Sequence, residues 1–204
     1  MRKPSALGIF FRIPEKGRVK KRLAAEIGEE AALRAYESML AATIQKVGRL
    51  EDIDRIGFYA GRSARACTWA GIPFERQRGD DLGERMHNAF TLLFARGYRK
   101  SVLIGSDSPD LPLSFIIDAF GRLDSSDVVL GPSEDGGYYL IGIREPIPLD
   151  ALFKGIPWGS RGVLTRTIAL LRDAGKGFSL LPEWYDIDDS VGLKRWERSL
   201  SAQK

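Results

Sequence analysis

Residues 101–112 read Ser-Val-Leu-Ile-Gly-Ser-Asp-Ser-Pro-Asp-Leu-Pro. An apolar run leads straight into a glycine, a carboxylate and a proline-fixed turn. A short apolar run bounded by turn signals suits a strand buried on both faces, and such strands are typical of parallel sheets. In open sheets of this kind ligands bind beyond the carboxyl ends of the strands, where the strand order reverses. Asp107 stands at such an end. A carboxylate there can hold Mg2+ or Mn2+ against a diphosphate, because hard cations prefer oxygen ligands. The plainer alternative is that Asp107 or Ser108 caps the next helix.

Outward from this stretch, strands and helices alternate. A first strand covers residues 6–13 and stops at Pro14. Apolar positions then recur at helical spacing (Leu23, Ile27, Ala31, Ala35, Met39, Ala42) over residues 23–47, and Gly28 can break this span into two helices. Further strands are expected at 55–60, 73–77, 101–104, 127–130 and 138–143, with a last core strand at 178–181. Helices are expected at 63–70, from a cap at Asp80 or Asp81 to Ala95, from a Ser114 cap to Leu123, at 160–174, and from Ser190 onward. This order implies a three-layer α/β/α sandwich around a mostly parallel mixed sheet. With 204 residues and no repeat or linker, the chain reads as one domain, 1–204.

Composition excludes several function classes. Cys67 is the only cysteine, so no intrachain disulfide forms, and a reducing, cytoplasmic setting is expected. The basic start at residues 1–4 is followed by an apolar run that soon meets charge at Arg12, which reads as a strand and not as a signal peptide. No apolar stretch approaches the roughly 20 residues of a membrane span. The net charge of +4 comes without a basic face interleaved with aromatics, so nucleic acid is not the expected partner and an anionic small molecule is. His87 is the only histidine and reads as a surface or structural residue; Cys67 reads as packing in a helical stretch.

Four more segments carry chemistry. Arg12-Ile13-Pro14-Glu15-Lys16-Gly17-Arg18-Val19-Lys20-Lys21-Arg22-Leu23 places a glycine, several cations and a helix start directly after the first strand. Unpaired N–H groups, the positive end of the helix dipole and basic side chains suit phosphate. The Gly-Lys-Ser/Thr ending of a Walker A loop is missing, and a solvated basic turn is the alternative. Lys20 should matter more than Lys21, since neighbours on a helix point about 100° apart. In Gly79-Asp80-Asp81-Leu82-Gly83-Glu84-Arg85-Met86, Gly83 could leave room for a base or ribose, while Glu84 and Arg85 read as a solvated helical face. Gly131-Pro132-Ser133-Glu134-Asp135-Gly136-Gly137-Tyr138-Tyr139 offers close backbone approach to a ligand, or an ordinary hairpin turn. In Tyr185-Asp186-Ile187-Asp188-Asp189, alternation puts Asp186 and Asp188 on one face of an extended segment. Two like charges converging there call for a cation or donors, or else the segment caps the helix ahead of Ser190.

In this order the motifs resemble a bacterial family of glycosyltransferase-A-like nucleotide-diphospho-sugar transferases, of the radical-SAM/selenodomain-associated type. In outline they are also similar to the molybdenum-cofactor and phospholactate guanylyltransferases. The resemblance runs from Ile9 to about Leu193. It rests on Pro14, Gly17, Val19, Lys20, Arg22 and Leu23, on Asp81 through Met86, on Gly105, Asp107 and Pro109, and on Gly131, Pro132 and Asp135 through Leu140. Arg12 stands where the family often has Lys, Lys21 where it has Thr, and Asp189 where the last motif has Thr.

The resemblance implies the glycosyltransferase-A fold and a site for nucleotide plus metal. Read with the motifs, it gives Arg12, Pro14, Gly17, Lys20, Arg22, Gly83 and Asp107 to the nucleotide. Asp107 with Asp186 or Asp188 would hold the Mg2+ or Mn2+, and Asp135, Gly136 and Gly137 would face the sugar or acceptor. Lys20, Asp107 and Asp135 would carry the catalysis. The expected reaction is metal-assisted glycosyl transfer from a nucleotide sugar. Its rivals are nucleotidyl transfer with release of pyrophosphate and a silent nucleotide-binding protein.

Overall fold

A computed structural model describes residues 5–61 and 71–201. The helix expected at 63–70, Cys67 and the basic start at 1–4 lie outside the described residues. In chain order the elements are β1 (Ser5–Arg12), α1 (Lys21–Ile27), α2 (Glu29–Val47), β2 (Asp54–Ala60), β3 (Phe74–Arg76), α3 (Leu82–Ala95) and β4 (Lys100–Ile104). There follow α4 (Leu113–Arg122), β5 (Val128–Pro132), β6 (Tyr138–Arg144), α5 (Leu149–Phe153), α6 (Val163–Asp173), β7 (Phe178–Leu180) and α7 (Ser190–Ser201).

The strands form one sheet in the order β3-β2-β1-β4-β6-β5-β7. All neighbours are parallel except β6, which runs antiparallel to both β4 and β5. The chain moves from β1 outward to β2 and β3, then returns to place β4 on the other side of β1. The strand order therefore reverses between β1 and β4. Because β6 is reversed, its first residues lie beside the carboxyl end of β4, with Leu140 opposite Ile104. The loops after β1, after β4 and before β6 thus meet at one edge.

The apolar runs are buried on both faces, and alternate residues serve opposite layers. Leu103, Val128 and Leu130 face the side covered by α3, α5 and α6 through Phe90, Phe153 and Leu171. Val102, Ile104 and Val129 face α2 and α4 through Val47, Ile116 and Leu123. Helix α7 joins this second side by burying Trp196 against Met39 of α2 and against Tyr185 and Ile187.

Local chemistry sets the helix boundaries. Gly28, at φ 89°, separates α1 from α2. Asp81 caps α3 by accepting from Glu84 N at 2.8 Å, and Glu84 returns a carboxylate oxygen to Asp80 N at 2.9 Å. Three expectations are corrected. Ser114 does not cap α4: Pro112 holds that place and Ser114 sits inside the first turn. The stretch 178–181 is not a core strand, because β7 lies at the sheet edge and leaves Leu180 exposed. Helix α6 begins only at Val163, leaving residues 154–162 as a connecting segment after a short helix, α5, which five residues are too few to reveal by period.

Candidate active site

Lys20 lies at the centre of the edge where the three loops meet. Its backbone is left-handed (φ 44°, ψ 51°), a conformation rarely adopted by a residue with a side chain. The side chain is 5% exposed, and its ammonium lies 2.7 Å from Asp107 Oδ1 and 3.2 Å from Asp188 Oδ1. Burial opposes the charge on Lys20, but Asp107 and Asp188 outweigh it and hold its pKa above the ordinary lysine value. Arg22 reaches the other oxygen of Asp188 at 3.2 Å. Lys21 begins α1, while Lys20 is the residue that turns inward.

Asp107 is not a helix cap, since α4 starts at Leu113 with no side-chain cap. Ser108 does not cap either: its hydroxyl donates to Asp186 at 2.6 Å. Ile187 N donates to the Asp107 carbonyl at 2.9 Å and its side chain is fully buried, so Asp186 and Asp188 flank it on the alternate face. The capping role falls to Asp189, which accepts from Gly192 N at 2.9 Å in the first turn of α7. An aspartate here can do the work of the threonine in the family motif, since both are good helix caps. Asp186 and Asp188 are left for the cleft.

Asp186 is pushed up to about 6, mainly by burial, with Asp107 and Asp135 adding repulsion against the pull of Ser108 and Lys20. A carboxyl held above its unfolded value binds its proton more tightly in the folded state. Its contribution to stability is therefore largest at acid pH and falls as the pH rises from about 4 to about 6. Asp186→Asn keeps an acceptor for Ser108 and removes the buried charge. In chelator at pH 7 to 8 its thermal midpoint should exceed that of the unmodified protein by about 2–4 °C for each kcal/mol recovered. The gap should close near pH 4, and a gap independent of pH would refute the account.

Asp135 turns back into its own loop: its Oδ1 accepts from Gly137 N at 2.9 Å and from the Ser133 hydroxyl. The hairpin reading of this loop is correct, because β5 and β6 are antiparallel, and the same loop also lines the cleft. Gly136, at φ 89°, lies against the Arg161 carbonyl, where a Cβ would overlap it.

The cleft encloses about 1140 Å3. Arg12, Lys20, Arg22, Asp107, Asp135, Gly137, Asp186 and Asp188, all expected from the sequence, line it. Pro14, Gly17, Gly83 and Gly136 do not. The room at Gly83 is occupied by the Trp158 indole, which leaves no space for a Cβ, so this glycine seats a tryptophan and not a base or ribose. Gly17 faces the Glu29 carboxylate, 3.2 Å from where its Cβ would be. Arg85, expected on a solvated face, lines the cleft and donates to Gly79 O at 3.0 Å. His87 lies apart from these groups, 2.9 Å from Asp150 and edge-on to Phe153, as a structural residue.

Several supporting residues had no signature in the sequence. The Tyr36 hydroxyl accepts from Arg12 N at 2.9 Å and lies 3.1 Å from Ser106 Oγ, so it staples the loop after β1 to the loop after β4. Burial, with Asp107 adding, pushes Tyr36 up to about 12. Lys46 donates to Pro109 O at 2.6 Å and Leu111 O at 2.7 Å, and burial lowers it to about 8 despite Asp110. Asp110 in turn accepts from the Tyr185 hydroxyl, over whose ring Arg195 of α7 stacks at 3.6 Å.

The family model of an uncharacterized protein conserved in bacteria, DUF2064, matches residues 43–160. No curated protein matches the chain by sequence. Among solved structures, a Desulfovibrio desulfuricans G20 protein provisionally called a nucleotide-diphospho-sugar transferase is 35% identical, over 97% of this chain and 88% of its own, at a TM-score of 0.91. A CMP:2-keto-3-deoxy-manno-octonic acid synthetase complexed with CTP is 13% identical, over 98% and 99% of the two chains, at a TM-score of 0.63. The molybdopterin-guanine dinucleotide biosynthesis protein A of Archaeoglobus fulgidus is 14% identical, over 97% and 99%, at a TM-score of 0.59. The two distant structures establish the fold alone, which is that of the nucleotide-diphospho-sugar transferases, as the motifs imply. Among the described residues no helix is long and apolar enough to cross a membrane.

Proposed function

The chain belongs to the bacterial family DUF2064, and on that footing we propose that it is a metal-assisted glycosyltransferase taking a nucleotide sugar as donor. The carrying observation is the buried Lys20 ammonium between Asp107 and Asp188, at the point where the strand order reverses.

An ammonium has three donors, and two of those on Lys20 go to Asp107 and Asp188. Among the described residues the third has no partner, which leaves it for a donor phosphate. Arg12 and Lys21 line the same cleft and form no ion pair among the described residues, so they can bind phosphate without releasing a carboxylate. The acids fit a divalent ion that shares its shell with phosphate. Among the described residues no three acidic, histidine or cysteine side chains make an all-protein cage. Mg2+ needs none: it takes one or two carboxylates, completing its shell with phosphate oxygens and water. Asp107 would be one ligand. Asp186 is the better second, because Asp188 already meets two cations whereas, among the described residues, Asp186 accepts from a serine hydroxyl alone. When bound, the ion supplies positive charge where negative charge develops on the departing phosphate. Asp135, with Oδ1 held by its own loop, keeps Oδ2 for the sugar or acceptor.

The test is a panel of nucleotides and nucleotide sugars with Mg2+ or Mn2+, read by thermal shift, since a ligand of the folded state raises apparent stability. Turnover of the best ligand with candidate acceptors is then followed by its leaving group. Release of nucleoside diphosphate supports glycosyl transfer, whereas pyrophosphate from a triphosphate assigns nucleotidyl transfer instead. A panel with no shift from any nucleotide, with or without metal, would remove the nucleotide reading altogether.

A further inference from the structure

Apart from Arg85 of α3, which donates to Gly79 O and Asp80 O, the cations of the cleft fall into two sets. Arg12, Arg18, Lys20, Lys21 and Arg22 come from the end of β1 and the stretch that follows it, at the donor end. Arg161 comes from the segment between α5 and α6, which packs against the loop before β6. In the sheet β4 lies between β1 and β6, so the two sets stand on opposite sides of Asp107.

The main chain fixes the place of Arg161. Its carbonyl lies against Gly136, Leu164 N donates to Gly136 O at 3.0 Å, and Trp158, three residues earlier, is seated on Gly83. The segment thus spans from the start of α3 to the Asp135 loop. Its guanidinium has no carboxylate partner among the described residues. Asp135, although next to Gly136, is held by Ser133 and Gly137 instead. Trp158 is partly buried, stacks on Phe153, and lines the same cleft.

We propose that Arg161 and Trp158 form the acceptor subsite, and that the acceptor carries an oxyanion, phosphate or carboxylate, beside an apolar or ring surface. This rests on the nucleotide reading above. A planar guanidinium matches a two-oxygen anion with paired hydrogen bonds, and an indole offers a broad apolar face. A second anion bound close to the donor phosphates needs its own cation, and Arg161 supplies one that the donor set does not use.

Protein saturated with Mg2+ and the best nucleotide of the panel is titrated with phenyl phosphate, benzoate and phenol, followed by calorimetry and tryptophan fluorescence. Phenyl phosphate or benzoate should bind and phenol should not; whichever anion binds names the oxyanion. Arg161→Gln should weaken that binding by about tenfold or more while nucleotide affinity stays within about twofold. Trp158→Phe should abolish the fluorescence change while heat of binding remains. Equal anion affinity in Arg161→Gln overturns the proposal. So does a matching loss of nucleotide affinity, which would put Arg161 on the donor. Nucleotide binding without anion binding sinks this proposal alone; no nucleotide binding to the unmodified protein sinks the functional reading first.

Discussion

Asp107→Asn should fold and should bind nucleotide only a few-fold better with Mg2+ than with chelator. Asp107 follows a strand whose side chains are buried on both faces, and its carboxylate reaches the cleft about half exposed. Arg12 and Lys21 favour a diphosphate in the cleft, but an oxygen placed beside Asp107 would meet its charge together with those of Asp135 and Asp186, only part of which Lys20 offsets. One uncompensated unit charge at about 6 Å, with an effective dielectric of about 20, is worth about 3 kcal/mol, or roughly a hundredfold in affinity. A cation between the groups reverses that sign, so the unmodified protein should gain at least about a hundredfold from Mg2+ or Mn2+. The isosteric amide is a weaker ligand, and the gain should fall to a few-fold. The empty protein should bind the metal weakly, because phosphate oxygens complete the shell. Calorimetric titration of both proteins, in chelator and in Mg2+, decides the matter. If nucleotide affinity in the unmodified protein does not depend on metal, Asp107 serves only to hold Lys20.

The fold was legible because the strands near Asp107 carry runs of consecutive apolar residues and not alternating ones. Val102, Leu103 and Ile104 serve opposite layers in turn, which only a sheet covered on both faces allows. The lining of the cleft was legible where a loop carried residues whose chemistry is costly to bury, as at Lys20, Asp107, Asp135 and Asp186. Two alternatives needed tertiary contacts to resolve. Capping at the last acidic run belongs to Asp189, and Gly83 serves an indole from far along the chain. Trp158 and Arg161 stayed hidden for a related reason. Pro146, Pro148, Gly155, Pro157 and Gly159 give their segment no period, and its anchors, Gly83 in the first turn of α3 and Gly136 in the loop before β6, lie far away in sequence. Tyr36, Lys46 and Asp110 look in sequence like any helix or loop residues, and only the closed fold brings them to the loops they hold.

Lys20→Ala and Lys20→Gly should lose nucleotide affinity alike and differ in stability. Both remove the ammonium between Asp107 and Asp188, so phosphate binding should fall by at least about tenfold in each, as expected for loss of a charge-assisted hydrogen bond. Their backbones diverge. At φ 44° a side chain meets the neighbouring carbonyl, at a cost of roughly 1–2 kcal/mol that glycine escapes. The glycine gives part of this back through its freer unfolded chain. Lys20→Gly should therefore exceed Lys20→Ala by about 1 kcal/mol, or about 2–4 °C in thermal midpoint. Against the unmodified protein the loss should stay modest, since both carboxylates are nearly half exposed and water screens their repulsion. Because the folded pKa of Lys20 is raised, the stabilisation from its pairs is complete below the unfolded value near 10.5 and fades only as the pH rises through the folded one. Between pH 6 and 9 the gap to either variant should therefore owe nothing to the titration of Lys20 itself. A glycine variant no more stable than the alanine would show that the left-handed turn carries no strain. Unchanged nucleotide affinity in both would make Lys20 a tether for the two aspartates and leave phosphate to Arg12, Lys21 and Arg22.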